Sequence, residues 1–318
     1  MTASPGAAGV LASLGLTVLQ RDWLSSNQAV FRAEGAVPAS LVDSGYARHA
    51  PMTLALLEHV LDGQPLARLL NTHLHSDHCG GNRLLQARYP ELATMVPIGH
   101  WAAASQWDRS RLSYDAVGQF CERFAVQGAL AAGDEIELGA GRWQVHAAPG
   151  HDMDAVMLFE PQSRTLIAGD ALWEQRLAII FPELEGGPGF SATRATLDLI
   201  ERLAPTLVVP GHGAVFEDVA AALAASRERL EVFERKPERH VLHAARALLM
   251  FHLMEVEQIS EAALQQWLMG TPLYRTMARH LGHGDPTALV RWSAELVAGL
   301  VDGGHVRRSE SVLSVLSN

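Results

Sequence analysis

Three histidines and an aspartate crowd His73-Leu74-His75-Ser76-Asp77-His78, and Cys79-Gly80-Gly81-Asn82 follows directly. Imidazoles and a carboxylate at this density are ligand chemistry for a transition metal. Extended backbone sends alternate side chains the same way, so His73 and His75 can face one ion while the adjacent Asp77-His78 pair turns toward a second. The stretch leaves the apolar run Leu66–Leu70, and Gly80-Gly81 permits a tight turn from the loop into a helix.

Three more side chains share that local context. His151 follows Val145-His146-Ala147-Ala148-Pro149-Gly150, Asp170 follows Leu166-Ile167-Ala168-Gly169, and His212 follows Leu207-Val208-Val209-Pro210-Gly211. Each time an apolar strand runs out, a glycine appears and a ligand-type residue comes next. Strand ends on packed sheets converge at one edge, so these seven residues can meet there although they are far apart in the chain. Carboxylates and imidazoles without thiolates suit Zn, Mn or Fe, and an aspartate can bridge two ions. A lone histidine is usually a surface or core residue, and His49, His59, His100, His146, His240, His243, His252, His280, His283 and His305 are read that way. Chance would have to repeat the strand-then-ligand pattern four times to produce the rest.

The elements that must position these residues are legible from periodicity. Ala29–Phe31, Ser40–Asp43, Leu66–Leu70 and Met95–Val96 read as strands, with helices over Met52–Val60, Cys79–Tyr89, His100–Gln106 and Asp115–Phe124. A second batch of strands follows at Glu135–Leu138, Arg142–Ala147, Ala155–Phe159, Arg164–Ala168 and Leu207–Val209, with a helix at Ser191–Arg202. Strands in two batches, each with helices, predict two sheets packed face to face with helices outside. Ala7–Leu19 is read as a mobile tail entering a first strand; no basic residue precedes Arg21, which argues against a signal peptide. From about Ala214 the texture turns helical, with stripes at Phe216–Phe233 and Val241–Leu253. Asp285-Pro286 starts a helix that Gly303-Gly304 closes, and His305–Arg308 with Ser311–Val315 form a small hairpin. The expected division is therefore a catalytic domain over 1–220 and a winged-helix-like appendage over 221–318.

The order His73-x-His75-x-Asp77-His78, His151, Asp170, His212 resembles the metallo-beta-lactamase superfamily over residues 12–220. The resemblance implies an α/β fold, the four-layer αβ/βα sandwich, with two metals in a cleft at the sheet edges. It implies that His73, His75 and His151 hold the first metal and Asp77, His78 and His212 the second, with Asp170 bridging. The bridging aspartate is similar to that of glyoxalase II and the beta-lactamase-like hydrolases, and unlike the antibiotic-degrading lactamases. The appended domain looks most like that of the human-type beta-lactamase-like protein group. Two departures stand out: Asp152-Met153-Asp154 follows His151 where the family often has Ser or Thr, and the basic cluster that binds glutathione in glyoxalase II has no counterpart near the C-terminal helices.

The chemistry expected of such a centre is attack of a metal-activated hydroxide on an electron-poor carbonyl or phosphoryl group, with Asp77 as the catalytic residue that orients the nucleophile or shuttles its proton. Two divalent ions are expected, Zn before Fe or Mn, and a small ester, thioester or lactone as substrate. Trp173 and Phe181, just after Asp170, are equally readable as pocket wall or as ordinary packing. Cys79 reads as a small apolar residue at a helix start rather than a catalytic thiol.

Charge weighs on the alternatives. The formal net charge is −10; residues 1–220 carry 14 basic against 24 acidic side chains, and residues 221–318 carry 11 of each. A metal-dependent ribonuclease would need a basic track with aromatic platforms, so nucleic acid is disfavoured as a partner. A mononuclear iron oxygenase of sulfur compounds shares several ligands, and metal analysis separates it. For a DNA-binding regulator the helix Thr287–Val301 offers Arg291 but also Glu295, so it reads as a packing or dimerisation element and leaves room for a homodimer. The single lysine, Lys236, leaves no Schiff-base or P-loop chemistry, and with only Cys79 and Cys121 there is no disulfide framework. No run is long enough to span a membrane, and the cytoplasm is the expected compartment.

Overall fold

The computed structural model describes residues 5–316, which fall into two compact units. The first comprises the chain up to Leu112 together with Phe120–Glu231, and the second Ser113–Gln119 with the chain from Val232 onward. This division comes later than the boundary expected at 220, and the helix Val219–Arg235 runs unbroken through that point.

The first unit is built on two sheets. Strands β1 (Leu16–Leu19), β2 (Gln28–Phe31), β3 (Ser40–Val42), β4 (Arg68–Leu70), β5 (Ala93–Pro97) and β6 (Gly128–Leu130) lie side by side in sequence order. The second sheet holds β7 (Glu135–Leu138), β8 (Gly141–Ala147), β9 (Val156–Glu160), β10 (Thr165–Gly169) and β11 (Leu207–Pro210), in reversed order from β11 to β7. Alternation along each strand sorts the side chains into layers. Ala29, Phe31, Val42 and Leu70 join Leu138, Trp143, Val145, Leu158, Ile167 and Val209 in one cluster that draws on both sheets. Their neighbours Val30, Leu41 and Leu69 point the other way, against Leu57, Leu61 and Leu85 of the helices Ala50–Leu61 and Asn82–Arg88. On the second sheet Leu166 and Val208 face away from the shared cluster, and the helix Gly189–Leu203 buries Phe190, Thr193, Thr196, Leu197 and Ile200 along one side. This is the expected αβ/βα sandwich.

Parallel pairing decides where the strand ends go. β3, β4, β5 and β6 run parallel to one another, so the residues after β3 and β4 leave at one edge. In the second sheet β10 is parallel to β11, while β9 runs antiparallel to both β8 and β10. The C-terminal ends of β8, β10 and β11 therefore also share an edge.

Three local expectations are corrected. The segment before β1 is not a mobile tail: Pro5–Ser13 is helical, its Val10 and Leu11 pack on the inter-sheet cluster, and Leu14 accepts a hydrogen bond from Ala140 N at 3.1 Å. The helix expected over Cys79–Tyr89 is two pieces, Ser76–Cys79 and Asn82–Arg88. Gly80 and Gly81 lie between the pieces, and a Cβ on either would collide with the backbone of Ala47 or Ser44, so close approach rather than turn geometry requires glycine there. The helix expected over Asp115–Phe124 is only Tyr114–Val117, ended by Gly118 at φ +68, where a side chain would meet Trp267.

The second unit joins the helices Pro237–Val256, Glu261–Gly270, Pro272–His280 and Pro286–Asp302 to a three-stranded sheet of β12 (Gln258–Ser260), β13 (Val306–Ser309) and β14 (Val312–Val315). Asp285 caps the last helix by accepting from Thr287 N and Ala288 N, both at 3.0 Å, and the expected hairpin is β13–β14. Among the described residues no helix is long and apolar enough to cross a membrane.

His240 in this unit is buried beside Phe233, and burial, with the neighbouring His243, pushes its imidazole down to about 3. The folded state thus stays neutral where the unfolded chain takes up a proton, so stability falls as pH drops below about 6.5, by at most about 1.4 kcal/mol per pH unit. His240→Leu should flatten this component. Urea midpoints at pH 7, 6 and 5 check it: the variant must lose less stability than the parent on acidification.

Candidate metal centre

The loop after β4 delivers Asn71 to Cys79 to the edge where β8, β10 and β11 also end, and all seven candidate side chains come together there. Three overlapping groups form, each with its ligand atoms within 4.8 Å: His73 with His75 and His151; His73 with His78 and Asp170; Asp77 with His78 and His212. Pairing of β10 with β11 places Asp170 next to His212, for Gly211 N donates to Gly169 O at 2.7 Å.

The ring nitrogens are sorted by what holds their far sides. His78 Nδ1 donates to Asp43 Oδ2 at 2.7 Å, which aims its Nε2 at Asp170 Oδ1, 3.3 Å away. His151 Nδ1 donates to the Ile179 carbonyl at 2.5 Å, leaving its Nε2 2.7 Å from His75 Nδ1 and 3.3 Å from Asp170 Oδ2. His212 Nε2 lies 3.1 Å from Asp77 Oδ2 and 4.0 Å from Asp170 Oδ1. Asp170 thus turns one oxygen toward His78 and His212 and the other toward His151. Buried His73 Nε2 and His78 Nε2 make no hydrogen bond, a costly state for polar atoms that a cation would relieve. The donor set fits divalent metal.

Charge and burial pull the side chains apart in pKa. Burial, reinforced by His78, holds His73 well below the ordinary imidazole range, and burial with His151 brings His75 to about 4. Burial alone would raise Asp77, but the hydrogen bond from His212 and the charge of His78 bring it to about 2. Asp170 is likewise held below the carboxylate range against its burial, by His78, His212 and His151, and the same pairing with Asp170 and Asp43 lifts His78.

Some residues around the centre escaped sequence reasoning. Asp43 accepts from Thr72 N and Thr72 Oγ1, both at 2.8 Å, as well as from His78. It follows an apolar strand as the ligands do, so a signal existed. Asp152 lies 3.8 Å from His75 Nε2 and accepts from His100 Nε2 at 3.0 Å; nothing local marks His100, which arrives on the helix Ile98–Gln106. Trp173 and Phe181 both touch the cluster: Trp173 Nε1 donates to Asp170 Oδ1 at 3.2 Å, and the Phe181 ring lies 4.7 Å from that of His75. Cys79 is buried, with Sγ 3.2 Å from the His75 carbonyl and 3.8 Å from Cys121 Sγ, and it packs at the end of the helix Ser76–Cys79 rather than at a helix start.

Because Asp43 fixes the His78 ring, Asp43→Asn should weaken metal binding roughly tenfold to a hundredfold. Competition with a chromophoric chelator measures this, and unchanged affinity would deny Asp43 that role.

The match to a family model decides the lineage: residues 21–212 fit that of the metallo-beta-lactamase superfamily. The chain belongs to this superfamily. Among its relatives, it is 33% identical over 153 residues to a hydroxyacylglutathione hydrolase of Synechococcus sp. (strain JA-3-3Ab), covering 46% of this chain and 52% of that protein. It is 29% identical over 254 residues to a hydroxyacylglutathione hydrolase of Hahella chejuensis, covering 79% and 84% respectively. The chain spans about half the length of the first of these curated relatives. In fold it is similar to a metallo-beta-lactamase family protein from Thermus thermophilus, with a TM-score of 0.56 at 20% identity over 95% of this chain and 99% of that one. Members of the superfamily bind divalent metals, and the His and Asp clusters here are the corresponding chemistry.

Proposed function

We propose that this protein is a hydrolase of a small ester, thioester or lactone, working at a centre for two divalent ions. The observation that carries the reading is Asp170, whose two carboxylate oxygens face different groups of histidines. His73, His75 and His151 would hold one ion, Asp77, His78 and His212 the other, and Asp170 both. Divalent ions bound there supply Lewis acidity that makes water nucleophilic near neutral pH and polarises a carbonyl.

The residues of the chain do the rest. Asp77, hydrogen-bonded to His212, accepts a hydrogen bond from the attacking water and passes its proton on. Water oxygen bonds to the carbonyl carbon, the C–O or C–S bond breaks, and the proton ends on the departing oxygen or sulfur. Phe181 and Trp173 limit water around the reacting carbon. A carbonyl compound needs no basic track, which suits a first domain with 24 acidic against 14 basic side chains in residues 1–220.

The test couples metal analysis of the purified protein, loaded separately with Zn, Mn and Fe, to a panel of thioesters, lactones, phosphodiesters and single-stranded RNA. Two ions per chain with turnover of a compact carbonyl substrate, lost in His75→Ala, is the expected result. RNA cleavage at physiological salt, lost in the same variant, would make the protein a ribonuclease. A single iron with oxygen consumption would make it an oxygenase.

A further inference from the structure

A cleft of about 260 Å³ opens beside His212, between the segment leading to β2 and the segment after Asp170. Its walls are indoles. Trp23 stacks on the His212 ring at 4.8 Å and 16°, and Trp173 stands nearly upright to it, 5.7 Å from Trp23 and 5.2 Å from His212. Trp23 nonetheless leaves 43% of its surface in solvent, a large apolar face next to a candidate metal ligand. Such a face gains most from a flat partner.

The rim restricts which partner. Asp22 and Glu174 outnumber Arg176 there, and the Arg21 guanidinium turns away to Thr53 Oγ1 at 2.8 Å and Gln28 Oε1 at 3.2 Å. A carboxylate- or phosphate-bearing group would meet two acids and one arginine, so the cleft is unsuited to the charged ends of glutathione. The volume is that of a one- or two-ring group rather than of a whole cofactor.

We infer that the cleft is the subsite for an uncharged aromatic portion of the substrate, seated against Trp23 and Trp173 while the scissile carbonyl lies at Asp77 and His212. This rests on the hydrolase reading and narrows it to aryl-bearing esters or thioesters. Because Trp173 also donates to Asp170, a ring settling against it is held in register with the reacting centre.

The experiment compares phenylacetyl and acetyl thioesters of N-acetylcysteamine, which share a leaving group, on the full chain loaded with Zn. A parallel titration follows binding of phenylacetamide, a neutral amide, by tryptophan fluorescence. Phenylacetyl should be preferred by roughly tenfold in kcat/KM, mostly through KM, and Trp23→Ala should erase that ratio while Trp23→Phe keeps part of it. Phenylacetamide should quench the parent and not Trp23→Ala. Equal use of both thioesters, or a preference that survives Trp23→Ala, overturns the subsite and leaves the hydrolase standing. Binding of phenylacetamide that depends on Trp23, with neither thioester hydrolysed, supports the subsite and overturns the hydrolase.

Discussion

Asp170→Ala should empty both halves of the centre, not one. Its Oδ1 lies 3.3 Å from His78 Nε2 and its Oδ2 3.3 Å from His151 Nε2, so one carboxylate serves both groups. Removing a residue that merely orients a ligand costs about tenfold to a hundredfold in metal affinity, and a direct shared ligand must cost more than that upper figure. The variant should therefore retain less than one ion per chain under conditions where the parent holds two, and lose hydrolysis with it. The loss should exceed that of Asp43→Asn, which touches only the far side of His78. Elemental analysis after gel filtration, with circular dichroism to verify the fold, measures the result. A variant that keeps one tightly held ion would show that Asp170 belongs to a single site.

The second large effect is expected far from the chemistry. Trp143 is fully buried in the cluster between the sheets, its ring 5.5 Å from Phe31 at 75°, and its Nε1 donates to Leu138 O at 3.2 Å. Trp143→Ala should destabilise the first unit by about 3–5 kcal/mol, since the lost indole leaves a cavity that the surrounding strands can fill only in part. Trp143→Phe should recover much of this. The consequence reaches the centre because His73 to His78 leave β4 of one sheet, whereas His151, Asp170 and His212 follow strands of the other. Loosening the packing between sheets should weaken metal binding as well, without any ligand being touched. Urea unfolding of metal-free and metal-loaded protein separates the two effects: the variant should gain less from metal than the parent does.

The local signals in this chain were those that a few neighbouring residues can carry. Alternation in Ala29–Phe31 assigns Val30 and Phe31 to opposite faces, and the structure has them in different cores. Asp285-Pro286 announces a helix start because cap and first turn are adjacent in sequence, and Asp285 caps that helix. Each of His151, Asp170 and His212 could be singled out because a strand end and a glycine precede it, and the structure brings these residues to the same edge as His73–His78.

What the tertiary structure alone decided lies in contacts between distant residues. Asp43 reaches His78 only because β3 and β4 pair in parallel, and His100 meets Asp152 across 52 positions of sequence. Trp23 flanks the centre because Asn27 Nδ2 donates to the Pro210 and Gly213 carbonyls, tying its segment to the loop that carries His212. Gly80 and Gly81 admit no side chain, since the chain at Ser44 and Ala47 passes too close. Periodicity records which face of an element is apolar. It carries no information about which other element supplies the atoms on that face, and that is set by strand register and packing once the whole chain has folded.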